Sequence, residues 1–108
     1  MDWIECCPQG KVWYAEQKAR FIDTKTAQYY QTLYIGKNKI DFFEANKDSI
    51  NGRIYFDLTD GLFFIDYDYN IFKDFRTKPH QRTDRDVYDS ESEVVLIPFN
   101  LLTPVVVP

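Results

Sequence analysis

The sequence is poor in the residues on which thiol and metal chemistry depend. Its 108 residues include two cysteines, the adjacent Cys6 and Cys7, and one histidine, His80. Neighbouring cysteines rarely bridge each other because the geometry is strained, and a Cys/His zinc site usually takes four ligands at defined spacing. We therefore expect no disulfide framework, no metal and no cofactor. A catalytic Cys–His pair is formally open, but no local motif supports it.

Glycine-rich loops and long apolar runs are missing too. The four glycines lie singly at turns, so there is no phosphate-binding loop. No apolar run approaches the ~20 residues needed to span a bilayer. The first ten residues, MDWIECCPQG, lack the basic region and apolar core of a signal peptide. We expect a cytoplasmic protein in a reducing compartment, without membrane attachment.

Positive charge is in the minority. Lys and Arg number 13 against 17 Asp and Glu, which gives a net charge of -4 and a pI of about 4.9. A nonspecific nucleic-acid binder needs a basic face to neutralise phosphates, so direct nucleic-acid binding is not expected. An electrostatic membrane anchor is disfavoured for the same reason. Acidity is compatible with a basic partner, although it bears on solubility first.

Aromatic residues are abundant instead. They make up 18% of the chain, and hydrophobic residues 44%, which favours β structure over a helical bundle and supports a real core. A chain of 108 residues suits one domain, spanning 1–108. We expect a mainly β fold: an antiparallel meander of two consecutive hairpins in a small sandwich or open barrel. Residues 11–23 could form a helix or a strand starting at Val12-Trp13-Tyr14, and Thr24 or Thr26 could cap a short helix; we expect one short N-terminal helix within 14–30.

The strongest local signal is the hairpin from Arg53 to Tyr69. Asp60-Gly61 suits a two-residue type I′ turn. Alternation then gives an inner, core-facing set and an outer set of facing pairs. The inner pairs are Leu58 with Phe63, Phe56 with Ile65, and Ile54 with Tyr67. The outer pairs are Asp57 with Phe64, Tyr55 with Asp66, and Arg53 with Asp68, the last an ion pair across the strands.

The flanking segments complete the predicted fold. A second hairpin is expected from Gln31 to Glu44 around Lys37-Asn38, and residues 70–76 are expected to continue the last strand after a bend. The longest loop runs over 77–92 and is mostly polar. Val94 to Ile97 predicts a strand buried on both faces, which Pro98 makes short or places at an edge.

Two patterns favour catalysis. On the outer face, Asp57, Asp66 and Asp68 could hold Mg²⁺ or Ca²⁺, and the alternative enzyme hypothesis places a cation at Asp66 and Asp68. Residues 91–98, ESEVVLIP, resemble the Glu-x-Glu stretch of mono-ADP-ribosyltransferases. That resemblance implies a catalytic role for Glu93 with Glu91 as its companion. It covers eight residues, and the family's Ser-Thr-Ser strand is missing.

The first functional hypothesis is nonetheless a non-enzymatic protein-binding factor of the inhibitor, immunity, anti-defence or adaptor type. Tyrosine-rich acidic patches make good recognition surfaces for a basic partner protein. The predicted surface comprises Tyr34, Asp41, Tyr55, Asp57, Phe64, Asp66 and Asp68. Arg82, Asp84, Arg85, Asp86 and Tyr88 are candidates in the loop. Two alternatives stay open: the N-terminal segment or the apolar C-terminal run covers this face as a second layer, or the C-terminal run joins copies of the chain into a homo-oligomer.

Overall fold

The computed structural model describes residues 3–6, 12–80 and 92–106. In chain order, the elements are β1 (Trp3–Cys6), β2 (Val12–Ala19), α1 (Thr24–Tyr30), β3 (Thr32–Gly36), α2 (Lys37–Ala45), β4 (Ile50–Leu58), β5 (Gly61–Asp66), α3 (Tyr69–Phe72), β6 (Thr77–His80), β7 (Ser92–Pro98), a 3₁₀ turn (Phe99–Leu101) and β8 (Thr103–Pro104). The predicted loop residues Arg82, Asp84, Arg85, Asp86 and Tyr88, like Glu91, lie outside this range.

The strands form two sheets that share one apolar core. The large sheet has the order β1-β2-β4-β5-β8, and the small sheet has the order β3-β7-β6. Pairing is antiparallel throughout except between β2 and β4, which run parallel. The core draws on both sheets and all three helices: Ala27, Leu33, Ile35, Ile40, Phe43, Ile50, Ile54, Phe56, Leu58, Ile65, Phe72, Val95, Ile97 and Leu102. The expected small, mainly β domain is therefore confirmed.

The central hairpin is present, but its predicted register is wrong. Leu58 pairs with Gly61, so Thr59-Asp60 forms the turn rather than Asp60-Gly61. The Asp60 carboxylate accepts hydrogen bonds from the amide and the hydroxyl of Thr24, both at 2.8 Å, and this contact with the start of α1 holds Asp60 in the turn. Each strand keeps its predicted inner and outer faces, because the pairing moves by two positions and alternation is conserved.

The new register changes every predicted partner on the outer face. Tyr55 lies opposite Phe64 instead of Asp66, and Arg53 lies opposite Asp66 instead of Asp68. Asp68 lies beyond β5 and caps α3, where its carboxylate accepts a hydrogen bond from the amide of Asn70 at 2.9 Å. The predicted continuation of the strand through 70–76 is therefore wrong; α3 takes its place.

The second hairpin is wrong, because Lys37–Ala45 is helix α2. Ile40 and Phe43 are buried three residues apart, on one side of the helix. The Phe43 ring lies directly over the backbone of Gly52, where an added Cβ would come within 2.6–2.8 Å of three ring atoms. A buried Glu16 on β2 reaches across to the ammonium of Lys39, 3.6 Å away. These contacts fix α2 against the inner face of the large sheet.

The expected short helix is confirmed as α1, but its cap is different. Asp23, rather than Thr24 or Thr26, caps it by accepting a hydrogen bond from the Thr26 amide at 2.8 Å. The strand predicted at Val94 to Ile97 is also confirmed, within β7. It is the central strand of the small sheet rather than an edge. Pro98 is tolerated because it is the last residue of the strand.

Candidate functional site on the outer face of the large sheet

The large sheet has an inner face, on which α2 packs, and an outer face that no described helix covers. The outer face presents Trp13 from β2, Arg53, Tyr55 and Asp57 from β4, and Leu62, Phe64 and Asp66 from β5. The C-terminal run does not form a second layer over it. Residues 92–106 instead supply the central strand of the small sheet and the two-residue edge strand β8 of the large one.

Arg53 is the centre of this face. Its guanidinium carbon lies 4.4 Å from the centroid of the Phe64 ring and 4.9 Å from that of Trp13. Both ends of the fork bond the carboxylate of Asp66, from Nε to Oδ1 at 2.5 Å and from Nη2 to Oδ2 at 3.2 Å. Planar stacking combined with a bidentate carboxylate contact is geometry that arginine provides and lysine does not. These contacts fix the rings of Trp13 and Phe64 and the charge of Arg53 relative to one another.

The same contacts set the electrostatics of the face. The hydrogen bond to Asp66, and a weaker one to Tyr55, raise the pKa of the Arg53 guanidinium above its ordinary high value, whereas partial burial opposes this. Arg53 thus stays charged and offsets Asp66. Asp57, which is exposed at the hairpin end of β4, is the carboxylate left to act on a partner. The centroid of the Tyr55 ring lies 6.1 Å from that of the Phe64 ring, so the two aromatic side chains pack against each other.

Four of the predicted surface residues meet here: Tyr55, Asp57, Phe64 and Asp66. The other three are elsewhere. Tyr34 is on β3 of the small sheet, where its ring lies 4.5 Å from the guanidinium carbon of Arg20. Asp41 is on α2 and pairs with Lys37 at 3.1 Å. Asp68 caps α3. The seven residues would share one face only if both hairpins formed in the predicted register. The first hairpin has a different register, and α2 replaces the second, so the seven residues are separated.

Trp13 belongs to the site and was not among the predicted residues. It reaches Arg53 because β2 pairs in parallel with β4, with Trp13 opposite Asn51 and Ala15 opposite Arg53. The available signal was the strand pattern beginning at Val12. A parallel partner separated by two helices and a strand cannot be inferred from local periodicity, so the pattern alone did not bring Trp13 to the face.

The residues predicted to be catalytic lie on different elements, and those that the structure describes are Glu93, Asp66 and Asp68. Glu93 lies exposed on β7 opposite Pro79, with its companion Glu91 outside the described range. Asp66 is hydrogen-bonded by Arg53, and Asp68 by the amide of Asn70 in α3. Within the described parts of the chain, no group of three or more His, Cys, Asp or Glu side chains is placed to hold a metal ion.

Comparison with protein-family models, curated proteins and solved structures found no match to this chain. Among the described residues, no helix is long and apolar enough to cross a membrane. Functional inference therefore rests on the chain's own surfaces.

Proposed function

We propose that this protein is a small, acidic, non-enzymatic protein-binding factor, of the inhibitor, immunity, anti-defence or adaptor type. It would bind a basic surface of a partner protein in the cytoplasm, through the outer face of the large sheet. The observation that carries the proposal is the set of three half-buried aromatic rings around Arg53, those of Trp13, Tyr55 and Phe64, bordered by the exposed Asp57.

The chemistry of that set supports binding. Interface hot spots are enriched in Trp, Tyr and Arg, which supply large contact area from few side-chain torsions. Here those side chains are pre-ordered by stacking and by the contact between Arg53 and Asp66, so less conformational entropy is lost on binding. The protein's net charge of -4, with Asp57 exposed at the rim, favours encounter with a basic surface.

Affinity capture with matched variants tests the proposal. Tyr55→Ala and Asp57→Lys are expected to abolish recovery of a specific partner that the wild-type protein retains. Tyr29→Ala and Asp48→Lys are the controls, because Tyr29 is an exposed tyrosine on α1 and Asp48 an exposed aspartate between α2 and β4. Equal loss in the controls, or a partner that binds the Tyr55 and Asp57 variants unchanged, contradicts the proposed surface.

The salt dependence of the captured complex tests the charge of the partner. A basic partner is expected to associate more slowly as ionic strength rises, and the Asp57→Lys variant to lose that dependence in part. An association rate independent of salt would refute a basic partner while leaving the aromatic surface in place.

A contact between copies through the C-terminal run remains a separate prediction. Leu102 is buried in the core, but Leu101 and Val106 are exposed, Val106 at 82% of its surface. Truncation after Asn100 would also remove Leu102, so a sharper test is Leu101→Ser with Val106→Ser. A mass in solution that is unchanged from wild type in this variant argues against an oligomer built on these two side chains.

A further inference from the structure

A second surface, away from the outer face, forms a cleft of about 950 Å³ beside the small sheet. It is lined by residues from the end of α1, from β3 and β7, from the segment between α3 and β6, and from the 3₁₀ turn. Its lining residues are Gln28, Gln31, Thr32, Asp74, Phe75, Arg76, Leu96, Pro98, Phe99 and Asn100. The volume falls in the range of ligand-binding clefts. None of the outer-face residues lines it, so the two surfaces are independent.

The polar groups of this cleft are not used by the fold. Three carboxamides, from Gln28, Gln31 and Asn100, line it together with the Thr32 hydroxyl. Within the described residues, none of these four side chains makes a hydrogen bond. Asp74 and Arg76 add one charge of each sign and are likewise not paired with each other or with another described side chain. The cleft thus offers several donors and acceptors and no net charge.

The backbone conformation of Gln31 is a second observation that favours a binding site in this cleft. It is the one non-glycine residue in the described chain with a positive φ, at φ 69° and ψ -16°. This is the left-handed position after a helix, which glycine adopts without a steric cost. The backbone is held there by two hydrogen bonds: Gln31 donates to Ala27 at 3.0 Å and accepts from Phe99 at 2.8 Å. A side chain therefore projects into the cleft from a position where it strains the backbone, and such strain is concentrated at functional positions.

The lining specifies the chemistry of the ligand. A primary carboxamide donates and accepts in the same pattern as a peptide group, and Phe75, Leu96 and Phe99 add apolar surface to the same lining. This combination of amide groups and apolar surface matches a peptide, which carries backbone amides and apolar side chains, better than a sugar, which carries hydroxyls around its whole edge. A phosphate is disfavoured because Asp74 offsets Arg76. We propose that the cleft binds a short, uncharged, extended peptide segment with an apolar side chain.

The test uses a single peptide unit as the probe. Titration of the ¹⁵N-labelled protein with N-acetyl-L-leucine N′-methylamide is expected to shift the side-chain NH₂ signals of Gln28, Gln31 and Asn100 saturably. The expected dissociation constant is about 1 mM, given the usual affinity per atom of small ligands. Methyl β-D-glucopyranoside and inorganic phosphate serve as comparison probes. Larger shifts from either one, or no saturable shift from the leucine probe, would overturn the peptide assignment.

Two variants separate binding from folding. Gln31→Gly is expected to raise the melting temperature, because it relieves the left-handed strain, and to weaken the probe by about two- to ten-fold through loss of hydrogen bonding. Asn100→Ala, at an exposed position of the 3₁₀ turn, is expected to weaken the probe by a similar factor with an unchanged melting temperature. Gln31→Asn keeps an amide at a position that asparagine tolerates, and is expected to retain part of the affinity. Wild-type affinity in both Gln31→Gly and Asn100→Ala would refute the site.

Discussion

Replacing Gly52 with alanine tests the contact that seats α2 on the large sheet. The new Cβ would stand 2.6, 2.7 and 2.8 Å from three atoms of the Phe43 ring. Carbon atoms pack at about 3.5–4.0 Å, so the ring has to retreat by roughly 1 Å. Phe43 is 1% exposed and lies in the shared core, which leaves it little room to move.

The magnitude follows from two opposing contributions. Overpacking a well-packed core costs about 1–3 kcal/mol, whereas replacing glycine by alanine within a strand recovers about 0.5–1 kcal/mol. We expect a net loss of about 1–2 kcal/mol in the free energy of unfolding, measured by urea denaturation. Gly61→Ala is the matched control, because its added Cβ meets Phe63 at an ordinary 3.4 Å. The control is expected to stay within about 0.5 kcal/mol of wild type.

A double-mutant cycle with Phe43→Leu decides whether the ring is the cause. Shortening the side chain removes the obstruction, so Gly52→Ala is expected to be nearly neutral in that background, which gives a coupling of about 1–2 kcal/mol. If Gly52→Ala costs the same in both backgrounds, the loss does not come from the Phe43 contact, and the account of how α2 is seated is wrong.

Three further predictions concern charge and stability. Combining Arg53→Met with Asp66→Asn is expected to show a coupling free energy of about 1 kcal/mol in urea denaturation, at the upper end for partly exposed pairs, and strictly additive losses would contradict the stacked, bidentate arrangement. The hydrogen bonds from Thr26 lower the pKa of Asp23 below its ordinary value of 3.8. The ionised Asp23 therefore adds to the stability of the fold above pH 3.8, and this stabilisation is lost as the pH falls through the lowered pKa of the folded protein. Asp23→Asn, which retains a cap without the charge, is expected to flatten this acid loss in a melting-temperature profile, and an unchanged profile would count against the cap. Burial first, and nearby carboxylates second, raise the pKa of Tyr67 above 10.0, so stability is expected to fall as the pH rises from 10.0 towards the folded value. Tyr67→Phe removes that titration, and a loss as steep as in wild type would show that Tyr67 is not responsible.

The parts of the fold that local pattern specifies were predicted from the sequence. The alternation in β4 and β5 identified both strands and both faces, since a half-buried strand repeats every two residues. The turn was misplaced by one residue because its position depends on Asp60 bonding Thr24, a contact from outside the hairpin. Such a shift leaves each residue of β4 and β5 on its predicted face but gives it a different partner across the strands.

Helix α2 shows a different limit. The apolar residues of KNKIDFFE fit a strand and a helix equally well. Ile40 and Phe42 lie two residues apart, as on one face of a strand, and Ile40 and Phe43 lie three apart, as on one face of a helix. Packing decides between them, because Gly52 provides space for the Phe43 ring on the sheet and Lys39 reaches Glu16. Those partners are remote in sequence, so the propensity of the segment alone did not determine its structure.

For the candidate site, the sequence identified the residues of the hairpin and missed the contribution of β2. Tyr55, Asp57, Phe64 and Asp66 came from alternation within one local unit. Trp13 reaches the face because β2 pairs in parallel with β4, and a parallel pair always requires a long crossover connection. Three residues were misassigned to this face. Tyr34 and Asp41 belonged to the predicted second hairpin, so their placement failed with it, and Asp68 lies beyond β5, where it caps α3.

The parallel pairing of β2 with β4 also has a consequence for the order of folding. The hairpin of β4 and β5 closes a two-residue loop, whereas β2 meets β4 only after α1, β3 and α2 have been spanned, with Val12 opposite Ile50. Loop-closure entropy makes such a pairing late, and contact order of this kind slows folding. We therefore expect Arg53 and Phe64 to come together early, and the indole of Trp13 to stack on the guanidinium in a later step. A chain that has not completed this step would lack the Trp13 part of the proposed binding surface, so binding of the proposed partner is expected to report on completed folding.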